Sequence, residues 1–590
     1  MNQKNNVIPI FYACDDNFVK YTVVSLASMI ENASTDFRYR IYVLHTDIKE
    51  ETQASVLRLQ NDIFTVSFEN VTPYLNSIKT KMPLRDYYSK TTYFRMFIAE
   101  MFPEYDKAIY IDSDTVVTGD ISELYAYDIS HYDLGACHEQ AMVQENIYGT
   151  YVETCLGIDR NAYFNAGVLL INCRRFREKR VLDQFIELLG VYNFTVTQDE
   201  DYLNVICQDN VYFLPQAWNT EIFGELPESP KEACVIHYIM VAKPWHFSDC
   251  RWGEVFWQYA KKTEVYEEIR GILEAYTDEQ RANDMASADR LAALAIAETN
   301  RPDHYLARIN EGRDEGRIRI LQKISQLEEA GRFDEDVEED PPTRAIVAGE
   351  VDYLGKKLSS RVQTKFAFGL ARIFLKKILK QRKMIVKEII GSEHFAALQS
   401  GAVITCNHFN AFDSFAIQLA YESAKQKKRK FYRIIREGNY TSFPGFYGYL
   451  MRHCRTLPLA SSPRAMREFV RATDTLLKDG HFVLIYPEQS MWWNYRKPKP
   501  LKEGGFYFAA KNRVPVLPCF ITMRNSELLG EDGFPIQEYT IHIEKPLYPD
   551  ENKTVNENTA AMLEENYRIW KDIYEKTYGM PLQYTTAPKE

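Results

Sequence analysis

Twice along its length the chain alternates short apolar runs with helical stretches, and that alternation restricts it to α/β folds. From Val7 to about Lys262 the runs VIPIFYA, YRIYVLHT, KAIYIDSD and GVLLINC are interleaved with helical patterns such as TVVSLASMIENA. This order predicts a largely parallel sheet. A second alternating region runs from about Ala345 to the C-terminus. Between them, Thr263 to Ala330 is charged and helical, and GRFDEDVEEDPPT, 331–343, reads as an exposed acidic linker. A chain of 590 residues exceeds one core. The expected domains are therefore 1–262, a helical connector with its linker at 263–343, and 344–590.

A net charge of −11 argues against a general nucleic-acid binder. Ten cysteines occur singly, without CxxC pairs, so neither a zinc site nor a disulfide framework is indicated. Cys14, Cys173 and Cys406 sit in apolar runs, as buried reduced thiols do. MNQKNNVIPIFYA has no secretory pattern, and no uncharged apolar run approaches the roughly 18 residues that span a bilayer. A cytoplasmic chain is expected. One stretch, 356–387, is dense in Lys and Arg. On a helical wheel Lys365, Arg372, Lys376 and Lys383 share one face, and Phe366, Leu370, Ile373 and Phe374 cover another. Two readings stand: a helix packed on its own domain with a solvated basic side, or a helix resting on an anionic membrane surface.

In DKAIYIDSDTVV the strand AIYI delivers Asp112 and Asp114 at its end. Residues i and i+2 of an extended chain project to the same side, so both carboxylates can converge on one Mg²⁺ or Mn²⁺. The same spacing recurs at Asp199–Asp201 and Asp334–Asp336, but only the first pair follows an apolar strand.

Residues 6–262 resemble the family-8 retaining glycosyltransferases that use UDP-sugars. The resemblance rests on FYACDDNF, SKTTYFRMFIAE (89–100), YIDSDTVV, YFNAGVLLINCRRFR, QDEDYLN and IHYIMVAKPWH, in that order. It implies a GT-A-like nucleotide-sugar-binding α/β domain. Asp112, Asp114 and His237 would ligate the metal, Lys243 would hold the diphosphate and Arg95 would reach the donor. Asp15 and Asn17 would contact the nucleoside. Asn165, Asp199 and Asp201 would surround the sugar, with Asp199, Glu200 and Asp201 at the reacting centre. Two positions depart from the family pattern: Met240 where glycine is usual, and Glu200 where glutamine is common.

The second region holds His408 and, five residues on, Asp413, in ITCNHFNAFDSFAI. With eleven histidines in the chain, about one such spacing arises by chance. Two downstream stretches are more specific: DGHFVLIYPEQSMWW, then KPLKEGGFYFAAKNRVPVLPCF. Residues 350–545 resemble the glycerolipid acyltransferases, including those acting on lysophosphatidate. The resemblance implies a C-terminal α/β acyltransferase domain in which Asp413 orients His408 as a general base. Glu488 would belong to the same centre. Pro487-Glu488-Gln489-Ser490-Met491 departs from the family's Pro-Glu-Gly-Thr-Arg, which leaves Arg455 or Arg464 as a displaced cation, with Lys502 as a further substrate contact. Trp492 and Trp493 are read either as a platform for sugar or acyl groups or as core.

Together the two resemblances imply a bifunctional transferase of glycolipid or acylated-glycan assembly. Its expected partners are a UDP-hexose, acyl-CoA or acyl carrier protein, a lipid or glycan acceptor, an anionic membrane surface, and no nucleic acid. The alternatives are two independent activities on one chain, or one domain acting only as a docking module.

Overall fold

The computed structural model describes residues 7–73, 90–338, 343–425 and 428–584. The first six residues, Ser89 and the end of the acidic run, 339–342, lie outside the described residues. The chain divides into two compact units, Met1–Glu311 and Gly312–Glu590. The segment read from sequence as a connector is thus shared between the units.

The first unit is built on β1 (Val7–Ala13), β2 (Arg38–His45), β3 (Phe64–Asn70), β4 (Ala108–Ile111), β5 (Thr115–Val117), β6 (Leu134–His138), β7 (Phe164–Ile171), β8 (Val211–Phe213), β9 (Thr220–Glu221) and β10 (Val235–His237). Seven of these strands form one sheet in the order β3-β2-β1-β4-β7-β6-β8, and β5-β10-β9 form a smaller one. In the large sheet every neighbouring pair is parallel except the two that involve β7. Every residue of β4 and β7 is buried, which is why both read as continuous apolar runs.

Helix Asp278–Thr299 belongs to this unit. A capping box between Thr277 and Gln280 starts it. Its first half is tied down where Asp284 lies 3.3 Å from His246 and accepts from Tyr276 at 2.5 Å. Its last turn is held where Tyr192 donates to Glu298 at 3.0 Å and Ala295 is fully buried.

The second unit has β11 (Ile385–Ile390), β12 (Ala402–Thr405), β13 (Phe431–Arg436), β14 (Thr456–Leu459), β15 (Phe482–Ile485), β16 (Val516–Leu529) and β17 (Pro535–Ile543). They form one sheet, β11-β17-β16-β12-β15-β13-β14, parallel throughout except for the β16–β17 hairpin. The α/β class expected from the alternation is the class observed in both units.

Two expectations need correction here. Residues 331–338 are docked on the second unit, because apolar side chains are interleaved with the acidic ones. Phe333 stacks on Trp492, Val337 is buried, and Asp336 pairs with Arg436 at 2.6 Å. Trp492 is fully buried and Trp493 nearly so, which makes them core and not a platform. In the basic stretch the helix runs from Leu358 to Lys380. Lys383 lies beyond its end and pairs with Glu531 at 2.6 Å. Phe374 packs on Phe415 and Phe446, whereas Leu358, Val362, Phe366 and Ile373 are 61–76% exposed. No helix among the described residues is long and apolar enough to cross a membrane.

Candidate active sites

The chain leaves β4 through Asp112, Ser113 and Asp114 before entering β5. Antiparallel pairing sets His237 of β10 opposite Thr115, and the N–H of Tyr238 donates to the Asp114 carbonyl at 3.0 Å. One atom each from Asp112, Asp114 and His237 therefore lies within 4.8 Å of the others.

A chain of amides fixes the imidazole. The Gly167 N–H donates to Asn165 Oδ1 at 2.8 Å, and Asn165 Nδ2 donates to Glu139 Oε2 at 2.5 Å. Asn219 Nδ2 then donates to Asn165 Oδ1 at 2.7 Å, which leaves Asn219 Oδ1 to accept from His237 Nδ1 at 3.0 Å. The Nε2 lone pair is thereby turned toward Asp114, with Oδ1 3.2 Å away. Two carboxylates and an imidazole nitrogen suit Mn²⁺ or Mg²⁺. Asn165, expected at the sugar, thus also has a structural role behind His237.

Arg95 joins the carboxylates of this site. Its guanidinium bonds Asp112 at 3.0 Å, lies 3.2 Å from Asp199, and donates to the Ala166 carbonyl. Burial works against the charge of Asp114, but the Lys243 ammonium overcomes it and holds the carboxyl well below its usual range. The Lys243 ammonium lies on Asp114 and on the Tyr238 carbonyl. Glu200 accepts from the Ala166 N–H at 2.9 Å. Burial, and then the neighbouring Glu139, push its pKa well up.

Asp112, Asp114, His237, Arg95, Asp199, Glu200 and Lys243 line a cavity of about 680 Å³, as do Ser287, Ala288, Arg290, Leu291, Ala293 and Leu294 of helix Asp278–Thr299. Asp201 does not line it. Its carboxylate is fully buried and accepts from Tyr151 at 2.8 Å, Tyr163 at 2.9 Å and the Thr197 N–H at 3.1 Å. Asp15 and Asn17 do not line it either. Asp15 accepts from the backbone of Asn17 and Phe18, and Phe18 is the residue of that turn that reaches the cavity.

Met240 lines the cavity with φ of +52°, the left-handed conformation that glycine adopts without penalty. This explains the glycine usual at the position. Met240→Gly is expected to stabilise the protein by about 0.5–1 kcal/mol, and Met240→Val to destabilise it by about 1–2 kcal/mol. Urea unfolding of the full chain checks both. Equal midpoints for the two variants would count against the strain.

In the second unit Asp413 opens helix Asp413–Ser423. Its Oδ2 lies 2.6 Å from His408 Nδ1 and its Oδ1 accepts from Tyr486 at 2.7 Å. The Tyr486 ring stacks on the imidazole at 4.2 Å. The carboxylate fixes the proton on Nδ1 and leaves Nε2 as the free base on a half-buried ring. Glu488 is buried and acts through the backbone, accepting from the His408 N–H at 2.9 Å and the Lys499 N–H at 2.8 Å. Its role here is to position His408. The Lys499 ammonium donates to the carbonyl and hydroxyl of Ser490, and burial lowers its pKa to about 8.

Arg455 rests on the Phe368 ring at 4.8 Å and Arg464 is exposed. Neither hydrogen-bonds to the His408–Asp413–Glu488 group. Lys502 donates its N–H to the Pro487 carbonyl at 2.9 Å, and its ammonium is 3.2 Å from Asp334.

Sequence reading missed Asn219, Tyr486, Lys499 and the cavity-facing side of helix Asp278–Thr299. Only Tyr486 carried a signal, its place two residues before Glu488.

Two α/β units, one with an acidic pair and a histidine under a cavity and the other with a carboxylate-held histidine, define a two-domain transferase. The chain belongs to glycosyl transferase family 8, whose model matches residues 9–249, and an acyltransferase model matches residues 387–522. A Haemophilus influenzae protein assigned as a glycosyltransferase is 31% identical, over 40% of this chain and 72% of that protein. The lipopolysaccharide 1,3-galactosyltransferase of Salmonella typhimurium is 26% identical, over 41% of this chain and 73% of that enzyme. Among solved structures, the galactosyltransferase LgtC with donor and acceptor sugar analogues is 28% identical, covering 45% of this chain and 100% of that one, at a TM-score of 0.38.

Proposed function

We propose that the chain is a bifunctional transferase: its first unit moves a hexose from a UDP-sugar, and its second acylates a hydroxyl of a glycolipid, glycan or glycerolipid. The observation that carries this reading is the coexistence on one chain of the Asp112–Asp114–His237 cluster and the His408–Asp413 pair.

In the first reaction an acceptor oxygen bonds to the anomeric carbon while the bond to the diphosphate breaks, and the hydroxyl proton passes to the departing UDP. Asp112, Asp114 and His237 would hold a divalent cation, which supplies charge for the leaving diphosphate. Lys243 adds a cation beside Asp114, and Arg95 keeps Asp112 and Asp199 in place. In the second reaction His408 Nε2 takes the acceptor's proton as its oxygen attacks the thioester of acyl-CoA or acyl carrier protein. The C–S bond breaks and the proton returns to the thiolate.

Incubating the full chain with lipid extract, a labelled UDP-hexose and a differently labelled acyl-CoA tests the reading. A product carrying both labels is expected. Two separate singly labelled products would favour independent activities, which two units with their own cores also accommodate.

Amphiphilic acceptors call for an interface, and helix Leu358–Lys380 supports peripheral binding to anionic membranes. Val362, Phe366 and Ile373 are exposed beside Lys365, Arg372 and Lys376. Each basic side chain near an anionic surface contributes about 1 kcal/mol, less at high salt. Replacing those three by Gln should weaken binding to phosphatidylserine-containing vesicles by about a hundredfold, with UDP-hexose turnover unchanged. Equal sedimentation of the two proteins with such vesicles would sink the idea.

A further inference from the structure

The metal ligands and the charged groups around them account for one part of the first unit's cavity, but not for the part lined by helix Asp278–Thr299. There Ser287, Ala288, Arg290, Leu291, Ala293 and Leu294 line the cavity, together with Met142 and Tyr148. We propose that this wall is an acceptor subsite, and that it takes an alkyl or acyl chain attached beside the hydroxyl that receives the sugar. The inference deepens the UDP-sugar reading and rests on it.

Four observations support it. A free sugar needs polar side chains to orient its hydroxyls, and these eight offer two hydroxyls, the guanidinium of an exposed arginine and otherwise apolar surface. The wall is continuous with the cavity that holds Asp112, Asp114 and His237, so a chain bound there belongs to a molecule that also reaches the reacting centre. The helix is anchored on both sides of this stretch, by Asp284 to His246 and by Glu298 to Tyr192, so the wall is pre-formed and needs no ordering on binding. The same chain carries an acyltransferase domain and an exposed apolar and basic helix, both suited to amphiphilic substrates.

The test compares n-octyl and methyl β-D-glucoside by titration calorimetry on the full chain, with UDP and Mn²⁺ present and the octyl glycoside below its micellar concentration. Octyl glucoside is expected to bind at least about tenfold tighter. Leu291→Asp should abolish that preference, with UDP binding unchanged within about twofold. Leu291 also packs partly on the core, so Ala288→Trp, which fills the subsite from a half-buried position, serves as the second variant and should have the same effect. Equal affinity of the wild type for the two glycosides would overturn the proposal, as would a preference that persists in both variants. Failure of the wild type to bind UDP, with the octyl preference intact, would overturn the UDP-sugar reading alone and leave the apolar subsite standing.

Discussion

Asp114→Asn is expected to lower UDP-hexose turnover by at least about a thousandfold, equivalent to about 4 kcal/mol of barrier, with acyl transfer within about twofold of wild type. Asp114 is where the second ligand strand and the nearby cation meet. His237 lies 3.2 Å from one of its oxygens and the Lys243 ammonium lies on the other. An amide in its place removes a negative charge from the ligand set and turns one oxygen into a donor that faces Lys243. The leaving diphosphate then loses both its divalent cation and a well-oriented lysine. The acyl-transfer centre lies in the other compact unit and uses none of these groups. Measuring UDP release and thiol release on the same preparation checks both halves. Retention of more than about a tenth of the wild-type UDP release would count against the metal role.

How far the sites can be read from sequence depends on how local their geometry is. Asp112 and Asp114 follow a strand, where residues two apart point the same way, so the spacing alone suggested convergence. Asp199 and Asp201 have the same spacing on helix Asp199–Cys207, where two steps turn the side chain by about 200°. Asp199 therefore reaches Arg95 at 3.2 Å, and Asp201 points into the tyrosine-lined interior. Asn219 acts on His237 from a short turn 18 positions away in the chain, and no motif announces it. Helix Asp278–Thr299 reads as part of a charged helical connector because half of its residues are polar and seven are charged. Apart from Arg290, its cavity side is made of small and aliphatic residues, which a charge-based reading passes over. The acidic run misled in the same way, since Phe333 and Val337 decide where it lies.

His408→Ala is expected to remove acyl transfer altogether, by at least about a thousandfold, and to leave UDP-hexose turnover within about twofold. The neighbours of His408 predict a graded series below it. Asp413→Asn keeps the size of the side chain but replaces the carboxylate that holds the Nδ1 proton at 2.6 Å. The amide can present a donor to Nδ1 and favour the tautomer whose proton sits on Nε2, which cannot accept one from an acceptor hydroxyl. The expected loss is about a hundredfold or more. Tyr486→Phe keeps the ring stacked on the imidazole and removes only the 2.7 Å hydrogen bond to Asp413, so its loss should be about tenfold or less. Release of free thiol from acyl-CoA, measured for the three variants with the same acceptor, gives the order directly. A Tyr486→Phe variant slower than Asp413→Asn would mean that the tyrosine hydroxyl, and not the histidine–carboxylate pair, governs proton transfer.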